Sequence, residues 1–278
     1  MQCIKIITPL IFFLALSNHA RASDFHSPRT AALGGSAHAG PLLNDSIYLN
    51  PSFSSFLTTY SISVNYLWFK GLLHGHGLNA SIQDGRSEMF QAGVAFTQAE
   101  TGRSLHVASS KKLSGRLAIG LGGKFFFPDD NSYTQIRDGL LSASLILSDW
   151  LHIVGIVDNV IESSEGKARG LYRELILGTK FNIKGIVLVY FDPHLVPNIK
   201  DTSSFGHESG LEFPMMSDFF FRLGAFRNST IPFESARGNG YGIGAGWLAP
   251  RISIDYGVSR VLSPVVTTSQ SIGMTIFF

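Results

Sequence analysis

The 278-residue chain has a single cysteine, Cys3, and few charges. Cys3 lies ahead of an apolar run near the start. The rest of the chain therefore has no disulfide, no cysteine nucleophile and no cysteine-ligated zinc. Lys and Arg number 22 against 20 Asp and Glu, a formal net charge of +2. So small a balance points to no nucleic-acid partner. Charged residues make up 15% of the chain, below the quarter usual in soluble domains. Long apolar runs are also lacking. Ile6 through Leu16 is the one extended case, and it is shorter than the roughly 20 residues a membrane-crossing helix needs. A helical membrane protein is excluded, yet 45% of the residues are hydrophobic.

The run has a context. Lys5 precedes it, and Ala20-Arg21-Ala22 follows it ahead of Ser23. A basic residue, an apolar core and an A-x-A site make up a cleavable secretory signal. Residues 1–22 are expected to be that signal, and the mature chain is expected in a Gram-negative outer membrane.

What the remainder has is glycine (29), phenylalanine (22) and strict alternation. Ile272, Met274, Ile276 and Phe278 share one face, opposite Ser271, Gly273 and Thr275. Ile252, Ile254, Tyr256 and Val258 alternate with Ser253, Asp255, Gly257 and Ser259. Tyr241, Ile243, Ala245 and Trp247 alternate with glycines, and Tyr60, Ile62, Val64, Tyr66 and Trp68 with Ser61, Ser63 and Asn65. A period of two marks strands with one apolar and one polar face. Many segments run near ten residues, the length that crosses a bilayer when tilted. Aromatic residues gather at the ends of the apolar faces, as in interfacial girdles.

The alternation predicts strands at 59–69, 75–83, 88–98, 102–111, 115–127, 136–147, 150–158, 170–182, 184–192, 203–213, 218–227, 240–248, 250–259 and 268–278. The segment 150–158 is apolar on both faces, which leaves its register open. Even-numbered connections are mostly tight, such as Ser148-Asp149 and Ala249-Pro250. Odd-numbered ones are often long: 159–169, 193–202, 228–239 and 260–267. That division matches short periplasmic turns and long external loops. The expected fold is all-β, a transmembrane antiparallel β-barrel of about 14 strands over residues 59–278. Unpaired backbone in lipid costs several kcal/mol per group, so the last strand must pair with the first. The alternating Ile272, Met274, Ile276 and terminal Phe278 look like the signal read by the outer-membrane barrel assembly machinery.

Residues 23–58 do not alternate. Arg29 leads into Ala32-Leu33-Gly34-Gly35-Ser36, then Asn44-Asp45-Ser46, then Asn50-Pro51-Ser52-Phe53. This succession resembles the N-terminal region of FadL-like outer-membrane proteins, which include channels for long-chain fatty acids and aromatic hydrocarbons. PorV-type secretion proteins and conjugal-transfer barrel proteins are relatives. Family members usually continue Asn-Pro with Ala-Gly, and Ser52-Phe53 depart from that. Ile254-Asp255-Tyr256-Gly257 resembles the family's penultimate strand. The resemblance implies a 14-stranded barrel whose segment 23–58, carrying Gly34, Gly35, Asn44, Asp45, Asn50 and Pro51, folds into the lumen as a plug. Asn50, ahead of Pro51, is biased away from helix, so a turn into the first strand is expected there.

No catalytic signature stands out, and no enzyme is expected. Gly34-Gly35-Ser36-Ala37-His38 lacks the second glycine and the strand–helix context of a nucleophile elbow. His74 and His76 offer two ligands where zinc wants at least three. Asp129 and Asp130 follow Pro128 as ordinary turn chemistry. No metal and no cofactor are expected. Asp192-Pro193-His194 falls on an external loop, where an Asp/His pair keeps a hydrolase as a minor alternative. Arg116, Lys124, Arg222, Arg251 and Asp255 project from polar faces. They either orient an anionic headgroup or pair with each other and the plug. Phe220 and Phe226 share the inward parity of Arg222, which makes the lumen greasy. The inward glycines at 240–246 leave room for a bulky neighbour such as the plug. The expected partners are outer-membrane lipid, the assembly machinery and a hydrophobic small molecule that the FadL-like barrel binds or passively passes. The alternative is a scaffold or shuttle, like the PorV-type relatives, that holds a protein partner.

Overall fold

The computed structural model describes residues 25–71, 75–100, 102–128, 135–199, 204–216, 218–234 and 236–278. The expected signal, His74, and the pair Asp129-Asp130 lie outside the described residues. Fourteen strands follow one another: β1 Tyr60–Gly71, β2 Gly75–Asp84, β3 Gln91–Ala99, β4 Gly102–Lys112, β5 Leu117–Pro128, β6 Ile136–Ser148 and β7 Leu151–Asp158. Then come β8 Glu174–Ile183, β9 Val187–Leu195, β10 Phe205–Met215, β11 Phe219–Thr230, β12 Arg237–Leu248, β13 Ile252–Ser263 and β14 Thr267–Phe277. Each pairs antiparallel with its neighbours, and β14 returns to β1, closing the barrel. The closing register runs from Ser61 opposite Phe277 to Gly71 opposite Thr267.

The wall is polar inside and apolar outside. On β3, Val94 and Phe96 are 41% and 44% exposed, while their neighbours Ala95 and Thr97 are almost fully buried. Buried positions elsewhere hold Ser61, Asn79, Gln83 and Ser144, whereas Leu78, Ile82, Leu121 and Leu141 lie exposed on the outer face. Exposed apolar surface in water forgoes about 25 cal/mol per Å², so this outer face suits hydrocarbon. No described helix is long and apolar enough to cross a membrane, and the strands themselves span it.

Tight connections at 113–116, 149–150, 184–186 and 249–251 gather at one end of the barrel. The stretches 159–173, 196–204 and 231–236 gather at the other. Three long loops are shorter than expected, the one between β13 and β14 running only from Pro264 to Val266. β11 runs on through Asn228–Thr230, and β12 starts at Arg237. β9 carries Asp192-Pro193-His194 as strand, not loop. Pro193 lacks an N–H, and the β8–β9 ladder skips from Ile176–His194 to Thr179–Phe191 around it. Conversely, 170–173 are not strand. The short helix Ser164–Ala168, capped by Ser163 and followed by left-handed Gly170, takes up the chain until Glu174. The register of β7 is settled by packing. Val154 and Ile156 point inward and bury against Ala39 and Leu140.

Residues 25–56 occupy the interior. α1 (Pro28–Ala32) is capped by Ser27, whose Oγ accepts from Thr30 N at 3.1 Å. It lies against β11 to β14. A 3₁₀ turn at Leu43–Asp45 leads into α2 (Ser46–Leu49). Asn50 is extended, at φ −162°, but a 3₁₀ turn over Pro51–Phe56 comes before the first strand begins at Tyr60. Inward glycine lets this segment touch the wall. A Cβ on Gly224 would sit 2.0 Å from the Leu33 carbonyl carbon, and one on Gly242 2.1 Å from the Ala31 oxygen.

Val94→Arg on the outer face of β3 is expected to destabilise the barrel by about 2–4 kcal/mol. Leu113→Arg, in a turn, is expected to cost within about 0.5 kcal/mol. Urea unfolding from lipid vesicles measures both, and equal costs would contradict the assigned lipid face.

Candidate functional site

The interior is organised by a buried chain of charges between segment and wall. Arg29, on α1, donates from Nε to Glu212 Oε2 at 3.0 Å and from Nη2 to the Tyr190 hydroxyl at 2.9 Å. Its guanidinium carbon lies 5.5 Å from the Tyr190 ring centre. Arg222 donates to the same Glu212 oxygen at 2.6 Å and to Asp255 Oδ1 at 2.5 Å. Asp45 stands 4.0 Å from Arg29. Two guanidinium groups and three carboxylates thus share one buried network, with one more acidic group than basic. Such a set holds only if every partner is in place, because one unpaired buried charge is costly.

Neutral hydrogen bonds fasten the rest of the segment. Asn44 donates to Ser81 Oγ at 2.9 Å and accepts from Ser61 Oγ at 2.6 Å. Asn50 donates to the His38 carbonyl and to Ser144 Oγ, both at 2.8 Å. Gly34 and Gly35 adopt φ of +66° and +90°, the left-handed region glycine reaches without strain. They turn the chain after α1. Pro51 and Ser52 press against Gly120. All six motif residues of the segment therefore shape it or tie it to the wall.

The segment leaves two spaces. Toward the tight-turn end a cavity of about 50 Å³ is lined by Arg29, Asp45, Phe220, Arg222, Trp247 and Asp255 among others. Toward the long-loop end a second, of about 60 Å³, is walled by Phe25, Tyr48, Leu49, Leu140, Leu171 and Ile176 and by a comparable polar share that includes His38, Asp158, Asn159, Glu174 and Glu208. Among the long connections of that end, Asn198 donates to both Glu162 carboxylate oxygens at 2.5 Å. This hydrogen bonding holds the Glu162 carboxyl below the ordinary range.

Five of the lumenal residues expected from parity face inward. Lys124 is buried and pairs with Asp158 at 2.6 Å. Phe220, Arg222 and Asp255 line the tight-turn cavity. Phe226 packs with Ile231 and Val261. Arg116 and Arg251 do not face inward. Both sit exposed in turns just ahead of β5 and β13, where the in–out alternation of a strand does not operate. Ile272, Met274, Ile276 and Phe278 are exposed on the outer side. The buried acids Glu208, Glu212 and Glu174, with Tyr190, were not singled out by motif. Their only signal is that they occupy inward positions of amphipathic strands.

No protein-family model and no curated protein matches this sequence. Solved structures do match in shape. The CymD monoaromatic hydrocarbon channel superposes with a TM-score of 0.64 at 10% identity, covering 91% of this chain and 97% of that one. The chain has the fold of the hydrocarbon channels. The Ralstonia pickettii toluene transporter TbuX gives a TM-score of 0.62 at 10% identity, covering 92% and 99% of the two chains. A Pseudomonas aeruginosa FadL homologue gives 0.59 at 12%, again covering 92% and 99%. The closed 14-stranded barrel that the resemblance of Arg29 through Phe53 implied is therefore the architecture present.

Arg29→Ala leaves Glu212 facing Arg222 alone and is expected to cost about 3–5 kcal/mol. Arg29→Lys should recover part of that, since it restores charge but not the two-pronged donor. Denaturant unfolding in detergent, with protease cleavage inside residues 25–56 as the local reading, measures the effect. Wild-type behaviour of Arg29→Ala would remove the charge chain as the anchor.

Proposed function

We propose that this chain is an outer-membrane barrel that binds a hydrophobic small molecule and lets it pass without an energy source. Residues 1–22 direct secretion, 23–58 act as the lumenal plug, and the outward face of β14 is read by the assembly machinery. The tight turns then lie in the periplasm and the long loops outside. The observation that supports this reading is the barrel's shape, shared over nine-tenths of the chain with solved hydrocarbon channels. At the long-loop end a small cavity offers Phe25, Tyr48, Leu49, Leu140, Leu171 and Ile176 beside the polar His38, Asp158, Glu174 and Glu208. The solved channels of the same shape are described as carrying monoaromatic hydrocarbons and toluene, which makes an uncharged aromatic the first ligand to try.

Passage needs more than a pocket. The charge chain around Arg29 fills the waist between the two cavities, so a ligand reaches the far side only if the plug shifts. That filled waist equally favours a second reading, in which the barrel is a scaffold whose external loops hold a protein partner.

Deuterated toluene titrated into the detergent-extracted protein is expected to show saturable binding by NMR. Ile176→Trp, which fills the cavity wall, should weaken it at least about tenfold, a loss of about 1.4 kcal/mol. Absence of saturable binding by toluene or a fatty acid, with a protein copurifying in fixed ratio, would favour the scaffold.

A further inference from the structure

His38, Asp192 and Glu208 are separated by long stretches of sequence and meet inside the barrel. His38 lies on the lumenal segment, Asp192 on β9 and Glu208 on β10. His38 Nδ1 stands 2.9 Å from Asp192 Oδ2 and 3.7 Å from Glu208 Oε2. One donor atom from each residue lies within 4.8 Å of the other two. We propose that these three side chains form a binding site for one divalent transition-metal ion, with its remaining position open to the long-loop cavity.

Three observations support a built site rather than a chance meeting. The first is an unsatisfied acceptor. Glu208 is 8% exposed, and its Oε2 accepts no hydrogen bond although it points at His38. A buried carboxylate oxygen with no donor is costly unless a charge pairs with it. His38 alone, shared with Asp192, leaves two carboxylates on one imidazole. A divalent ion balances both.

The second is the donor geometry. Atoms about 2.1 Å from a common ion, at bond angles between a right angle and the tetrahedral value, lie about 3.0–3.4 Å apart. The two separations from Nδ1 bracket that span. One imidazole and two carboxylates suit a borderline ion such as Zn²⁺, Co²⁺ or Ni²⁺.

The third is the support around the donors. Asp192 Oδ2 accepts from the backbone N–H groups of Ala37 at 2.8 Å and His38 at 3.0 Å. Its Oδ1 accepts from Thr179 N at 3.2 Å. Ligating carboxylates are commonly held by such outer contacts. Two glycines make the room. A Cβ on Gly35 would lie 2.9 Å from the Glu208 carboxylate, and one on Gly178 3.0 Å from His38 Cβ and 3.1 Å from Asp192 Oδ1. His38 and Glu208 border the long-loop cavity, while Asp192 is fully buried behind them. An ion there has three protein ligands and a free side toward whatever enters the cavity.

The test uses the untagged full chain in detergent, stripped with chelator and titrated with Co²⁺ alone. Visible absorption reports the coordination, and equilibrium dialysis with mass-spectrometric counting reports the stoichiometry. The expected result is one saturable ion per chain. Its affinity should fall at least about tenfold in Glu208→Gln, with the visible bands altered, and in His38→Gln the bands should vanish. Asp192 is left untouched because it holds the backbone. Failure of the native chain to saturate at one Co²⁺ would overturn the site, and that reading needs no variant to fold. Unchanged affinity and spectrum in Glu208→Gln would also overturn it, by placing the ion on surface histidines.

Discussion

A strand that gives one face to hydrocarbon has only its other face for polar side chains, and in a closed barrel that face has nowhere to turn but inward. The rest of this structure follows from satisfying it. Ser61, Asn79, Ser81, Ser144, Glu212 and Arg222 are buried, and what they bond to lies on neighbouring strands or on residues 25–56. Arg29 is the strongest of these links. It reaches Glu212 and Tyr190 from α1, and Glu212 passes the contact on to Arg222 and Asp255. Wall and segment are therefore one hydrogen-bonded object. The wall is polar where the segment touches it, and the segment is small-residued where glycines such as Gly224 and Gly242 let it approach.

The same packing shapes what the barrel can do. An open 14-stranded barrel would hold water throughout. Here the middle is filled, and free space divides into a small cavity beside Arg29 and Arg222 at the tight-turn end and another, lined by both apolar and charged groups, at the long-loop end. A molecule arriving by the loops meets Phe25, Leu49 and Leu171 together with Asp158, Glu174 and Glu208 before it reaches the charges around Arg29. To go further it must loosen a network in which each broken pair strands a buried charge. If the barrel passes a ligand, the free energy of moving the segment gates the step, whatever the affinity of the cavity.

All fourteen strands were legible in the sequence because lipid makes the alternation unusually strict. Outward positions tolerate only apolar groups, so Val94-Ala95-Phe96-Thr97 reads directly as out and in. Legibility failed where a different force took over. Arg116 and Arg251 continue the parity on paper, but turns begin before the ladder does. β7 loses its contrast because Val154 and Ile156 bury against Ala39 of the segment, so both faces meet apolar surroundings. Asp192-Pro193-His194 looked like loop because proline cannot complete a ladder, yet β9 runs through it with a gap in its pairing to β8. The buried acids were hidden for another reason. Alternation tells which way Glu208 and Glu212 point, not what stands opposite, and their partners Arg29 and His38 lie more than 150 residues away on a segment with no period.

The central claim is that each strand meets lipid on one side and a filled interior on the other. Nitroxide labels placed one at a time along β3, from Gln91 to Ala99, in lipid vesicles test it most directly. Labels at 92, 94, 96 and 98 should collide with dissolved oxygen and not with a water-soluble nickel complex. Labels at 91, 93, 95 and 97 should be immobilised and shielded from both. Ready access of the nickel complex to the inward set would mean an open aqueous pore, and access to the outward set would mean that this face does not meet lipid; either result contradicts the account.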